Sequence, residues 1–208
     1  MQTLLTLVRW THYVSGVLWI GMLWFFNFVN VNLQGDPKYP GDMKKVVNPL
    51  LMTRTLFLFR WGAMFTFLSG LYLLYFIYAS ATGIGFNSCR GLYIMTGAGF
   101  GTIMWFNVWG VIWPRQKKII SAAQGGPAVD PKVPKQAALA SKINTYLSVP
   151  LLLGMMGGHD PNYEFFSDGS VNGSVPGLVG GVLAGFAVVW LAYQLAPKIN
   201  TQIYKAPV

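Results

Sequence analysis

Five stretches of this sequence are apolar, almost free of charge and close to the length at which a helix crosses a bilayer. They cover residues 4–31, broken only by Arg9 and His12; 56–80, with Arg60 near its start; 92–113; 143–158; and 177–196. A hydrocarbon core of roughly 30 Å takes about 20 apolar residues in a helix. Only 10% of the chain is charged, against roughly 25% in soluble domains. This pattern excludes a disordered chain and argues against a soluble globular domain. The fold expected is all-α, a single polytopic membrane helix bundle over residues 1–208 with about five transmembrane helices. The fourth stretch is the shortest, about 24 Å at 1.5 Å per residue, and contains Pro150. Membrane helices accept such a proline because neighbouring groups satisfy the freed carbonyl. The first stretch is too long for a cleavable signal peptide, has no Lys or Arg ahead of Arg9 and lacks a small-residue cleavage site.

The charges divide by side. With five spans, the N-terminus and the loops 81–91 and 159–176 share one side, which holds Arg9 and Arg90. The other 13 of the 15 Lys and Arg residues lie on the opposite side, in loops 32–55 and 114–142, the C-terminal tail and the entry to the second helix. By the positive-inside rule the N-terminus is periplasmic and the C-terminus cytoplasmic, in a bacterial inner membrane. The net charge of +9 therefore reads as topology and lipid contact, with no nucleic-acid partner. Asp160, Glu164 and Asp168 lie together in the outer loop 159–176. They form either a solvated loop or a docking patch for a basic periplasmic partner.

No Asp or Glu lies in the five stretches, whereas proton pumps and ion-coupled carriers place carboxylates in the membrane. The remaining ionisable groups there are Arg9, His12, Arg60 and His159. A helix histidine in lipid is costly unless it bonds or ligates something. His12 near the outer start of the first helix and His159 at the outer end of the fourth fall on one side at compatible depths. Two histidines on antiparallel helices at one depth suit axial ligation of haem b. Gly16, one turn from His12, leaves room for a flat macrocycle, as do Gly157 and Gly158. Arg9 suits a propionate, and Tyr13, Trp19 and Trp24 suit ring packing. The same histidines also fit a copper or zinc site completed by Asp160 or a Met, or plain interhelical hydrogen bonding. The single Cys89 excludes an internal disulfide framework and any Cys-only metal site.

Gly177, Gly181 and Gly185 make a double GxxxG on the fifth helix, and Gly97, Gly99 and Gly101 cluster on the third. Such residues let helices approach closely, within one chain or against another subunit. Residues 21–27 (GMLWFFN) and 101–107 (GTIMWFN) are alike, which suggests similar packing, though the likeness is too short for a repeat. P-loop, dinucleotide-loop, Ser-His-Asp and zinc motifs are missing.

Several ordered pieces resemble one known family. They are Arg9-Trp10-Thr11-His12 with Gly16-Val17-Leu18-Trp19-Ile20-Gly21 and Phe25-Phe26-Asn27; Phe59-Arg60-Trp61-Gly62-Ala63 with Ser69-Gly70; Met104-Trp105-Phe106-Asn107-Val108-Trp109 with Ile112-Trp113-Pro114-Arg115; and Ala140-Ser141-Lys142-Ile143-Asn144-Thr145 with Ser148-Val149-Pro150 and His159. Over about residues 9–160 the chain resembles the urate oxidase N-terminal domain family. Its best-known members are membrane-bound urate hydroxylases with a fused C-terminal cytochrome c. This sequence has no CxxCH before Val208 and resembles the short, stand-alone branch. The resemblance implies a membrane-embedded histidine, a periplasmic orientation and a cytochrome c acceptor on that side. The start of the first helix also resembles, more loosely, protoporphyrinogen oxidase-type membrane proteins, which use a helix histidine for haem.

The function expected is an inner-membrane redox subunit. It binds haem b near the periplasmic face through His12 and His159, with Arg9, Gly16 and Trp19 around it. It exchanges electrons with a periplasmic cytochrome c or a larger membrane complex. Two alternatives stand beside it: a non-catalytic accessory subunit of a respiratory or oxygenase complex, and a urate-oxidising enzyme using a separate cytochrome c.

Overall fold

A computed structural model describes residues 2–39, 41–83, 85–157 and 171–199, with the backbone alone described at residues 43, 44, 48 and 171–173. All regular structure among the described residues is helical. Helix α1 runs over Gln2–Gly35, with a π-helical stretch at Phe25–Asn30. Helix α2 covers 41–79, ending in the π-helical Tyr75–Ala79. Helix α3 covers 89–123 and is π-helical over Asn107–Ile112. Helix α4 is Lys132–Gly157 and α5 is Val171–Leu195, the latter closed by a 3-10 turn.

Among the described residues, three helical segments are long and apolar enough to cross a membrane: Gln2–Gly35, Pro49–Ala79 and Ser174–Lys198. Less than a third of their most apolar windows is covered by the rest of the chain (28%, 28% and 22%). The uncovered part is what lipid can contact. The helices outrun the apolar stretches, since 41–55, 114–123 and 132–142 are helical too. These flanks are rich in Lys, Arg, Gln and Ala, which favour helix as well as water.

Each long helix contact is made where a glycine or a small polar residue permits it. On α1 the buried positions Ser15, Trp19, Leu23 and Asn30 form one stripe along the helix. It lies against α2, where a Cβ on Gly62 would sit 3.3 Å from the Ser15 carbonyl oxygen and the Trp19 nitrogen. On α3 and α4, Gly97 and Gly154 meet backbone to backbone. On α5, Gly181 lies against Leu153 and Gly185 against Pro150. These two glycines of the double GxxxG therefore serve packing within the chain.

Helix α4 touches α1, α3 and α5 and buries Ala137, Ala140, Asn144, Thr145, Ser148 and Gly154. Its packed face is made of small and polar residues, which explains why its apolar stretch was the weakest of the five. The alike segments 21–27 and 101–107 both deliver an asparagine to it. Asn27 Nδ2 donates to Ser141 Oγ at 2.8 Å, and Asn107 Nδ2 donates to Asn144 Oδ1 at 2.8 Å. In each case an amide also covers a carbonyl next to a π-helical stretch. Asn27 Nδ2 donates to Leu23 O at 2.9 Å and Asn144 Nδ2 to Met104 O at 2.9 Å. Tyr193 from α5 closes the group by donating to Asn27 Oδ1 at 3.0 Å.

Asn144 is fully buried, so its replacement by Leu strands the Asn107 amide and the Met104 carbonyl. An expected loss of about 1–3 kcal/mol is measurable by chemical unfolding in detergent. A change at the exposed Ile143 should leave stability within about 0.5 kcal/mol.

Arg60 is explained by packing. Its guanidinium lies 3.8 Å from the Trp113 ring centroid and 5.2 Å from that of Phe57. A desolvated cation over an aromatic face is stabilised by the ring quadrupole, and Arg60 takes no part in the site below.

Candidate functional site

A cavity of about 1130 Å³ has a wall that includes residues of α1, α2, α3 and α4. Its lining is mainly apolar, and Arg9, His12, Gly16 and Trp19 all belong to it. They come together because they share one helix at spacings of three and four residues. Tyr13 and Trp24 line it too. Trp19 is buried in the main core cluster at 2% exposure, so it forms a rigid part of the wall. A Cβ on Gly16 would meet only Thr66, at 3.8 Å. That is ordinary contact, and the absent side chain leaves its volume to the cavity.

His12 is held from α2. Its Nδ1 is 2.9 Å from the Thr66 carbonyl oxygen and 3.1 Å from Ser69 Oγ. A carbonyl only accepts, so Nδ1 carries the proton and donates to it. Nε2 is then the nitrogen with the lone pair, the tautomer in which a histidine ligates a metal. Gly70 makes the ring position available, because a Cβ there would sit 3.0 Å from His12 Cε1 and 3.4 Å from Nδ1. The tripod of Thr66, Ser69 and Gly70 was not legible from α1 alone. The Ser69-Gly70 pair was its one visible trace.

Three further residues join the wall from elsewhere. Arg90, at the start of α3, lines the cavity beside Tyr78, with which it interacts. Its charge had served only the topology argument. Met155 and Met156 line it from the last turn of α4. Gly157 ends that helix against the Tyr93 ring. Gly158, His159, Asp160, Glu164 and Asp168 lie outside the described residues. The copper or zinc alternative depends on His159 and, in one of its two forms, on Asp160. Among the described residues, no three His, Cys, Asp or Glu side chains are grouped as a metal site.

The arrangement suits a large, flat, mostly apolar molecule with acidic groups. The wall is mainly apolar, the imidazole offers a ligand nitrogen and the two guanidiniums offer paired donors for carboxylates. Haem b has these properties, and the cavity volume, the His12 tautomer and the two arginines fit it.

Residues 84–168 match the family model for "Urate oxidase N-terminal". The match takes in α3, α4 and His159, covers less than half of the chain and leaves out His12. Neither a curated protein nor a solved structure matches the chain.

Proposed function

We propose that this protein is a membrane redox subunit that holds one haem b in the cavity beside His12. His12 and His159 would ligate its iron, Arg9 and Arg90 would pair with its propionates, and Gly16, Trp19 and the Met155 side of α4 would shape the pocket. When bound, haem supplies a one-electron carrier, which here would exchange electrons with a periplasmic cytochrome c or a partner complex. The protein's own part is to fix the His12 tautomer through Thr66, exclude water and neutralise the acidic groups. The carrying observation is His12 itself: a helix imidazole, oriented by a backbone carbonyl on the neighbouring helix, on the wall of a cavity large enough for a macrocycle. In the sequence His159 follows Met155 by four residues and Met156 by three, and both methionines line this cavity. Haem content decides the matter. Protein purified from cells supplied with a haem precursor is expected to carry about one haem b per chain by pyridine haemochrome assay. Folded protein that carries none, and takes up none when haem is added, would overturn the reading.

The reading includes five spans, with α3 and α4 crossing alongside the three most apolar segments. It also places the N-terminus in the periplasm and the C-terminus in the cytoplasm of a bacterial inner membrane, which the 13-to-2 division of basic residues over five spans supports. A fluorescent protein fused after Val208 is expected to fluoresce, and alkaline phosphatase fused there to be inactive. The opposite pair of results would invert the topology and move the cavity to the cytoplasmic side.

A further inference from the structure

A second pocket, of about 340 Å³, lies at the other end of the bundle, between the end of α1, Pro49 of α2, the part of α3 after Pro114 and the start of α4. It is the end that carries most of the basic residues. Most of its wall is apolar, including Phe26 and Phe59, whose rings meet edge to face at 5.5 Å. Among the described residues no charged side chain lines it.

Two amides in this wall have unused hydrogen-bonding capacity. Asn30 is nine-tenths buried. Its Oδ1 takes a long contact of 3.5 Å from Gln34 Nε2, and its Nδ2 has no partner among the described residues. Gln116, half-buried on α3, likewise has no side-chain hydrogen bond among them. Asn27, by contrast, uses both donors and its oxygen within the fold. Neither amide is sealed in the interior, so both keep access to the pocket they line. Bulk-like water is a poor occupant, since about 30 Å³ per molecule would put roughly ten waters against a largely apolar wall. A lipid tail would fill the space and leave both amides unpaired.

The occupant that meets all these conditions is neutral, planar and bears carbonyl oxygens, with an apolar remainder that reaches it from the bilayer. We propose that this pocket binds the head group of a membrane quinone. The carboxamide is suited to both redox forms: its NH2 donates to a quinone carbonyl, and its oxygen accepts from a quinol hydroxyl. Phe26 and Phe59 supply aromatic contact for the ring. The site is separate from the His12 cavity and does not depend on what that cavity holds.

The test uses the full-length protein in nanodiscs of quinone-free lipid, titrated calorimetrically with a short-tailed ubiquinone and a short-tailed menaquinone analogue. Saturable binding of about one molecule per chain to either analogue is expected. Asn30→Leu and Gln116→Leu are each expected to weaken it about tenfold, a loss of about 1.4 kcal/mol. Gln116 is partly exposed, so its variant retains a folded reference if Asn30→Leu does not. Absence of saturable binding to both analogues, or affinity unchanged in a folded Gln116→Leu protein, would overturn the proposal. Haem content measured on the same samples keeps the two sites distinguishable.

Discussion

Gly154→Ala is expected to destabilise the bundle by about 2–3 kcal/mol, the upper range for overpacking a close-packed contact. The new Cβ would lie 2.7 Å from Gly97 N, 2.8 Å from Gly97 Cα and 2.8 Å from the Tyr93 carbonyl oxygen. All three are backbone atoms, so no side chain can rotate away, and α3 and α4 must separate. Gly99→Ala is the matched control, because nothing lies within 4 Å of a Cβ there. Alanine at an open helical position is neutral to mildly stabilising, by up to about 1 kcal/mol. Thermal unfolding of the two variants in one detergent measures the contrast directly. Equal midpoints would show that α3 and α4 are not in backbone contact at this crossing.

If the cavity holds haem as proposed, His12→Ala is expected to reduce bound haem to below about a tenth of the wild-type content, because it removes the proposed ligand nitrogen while Thr66 and Ser69 stay in place. The helices should survive, since His12 is half-buried and outside the main core cluster. Their persistence is checked by far-UV circular dichroism and by elution volume. Thr66 offers its backbone carbonyl, so no side-chain substitution at that position removes the hydrogen bond. Gly70→Leu does perturb the ring, by pressing on Cε1 and Nδ1. It should lower haem content while keeping His12 in the sequence. Full haem content in a folded His12→Ala protein would exclude this histidine as a ligand.

The scarcity of charge was legible because lipid tolerates few ionised groups, and it located the apolar cores of the helices. It said nothing about where each helix ends. Segments such as 114–123, with Arg115, Lys117 and Lys118, are helical for reasons of local preference that hydropathy does not register. Arg9, His12, Gly16 and Trp19 were legible as a group because one helix carries them at helical spacing. Thr66, Gly70, Arg90 and Met155 reach the same cavity from three other helices, and no spacing rule links them to His12. The likeness of residues 21–27 and 101–107 pointed correctly to similar packing. It did not reveal that each asparagine sits in a π-helical stretch and reaches α4. The packed face of α4 also reversed a sequence signal, since its small and polar residues weaken its apolar pattern while fitting it against its neighbours.

Haem binding at His12 is tested most directly by a reduced-minus-oxidised absorption spectrum of the purified wild-type protein, taken beside His12→Ala. The expected result is a b-type difference spectrum with a Soret band in the wild type, and its loss in the variant. A folded wild type with no Soret band after haem is supplied, or an identical spectrum in both proteins, would contradict it.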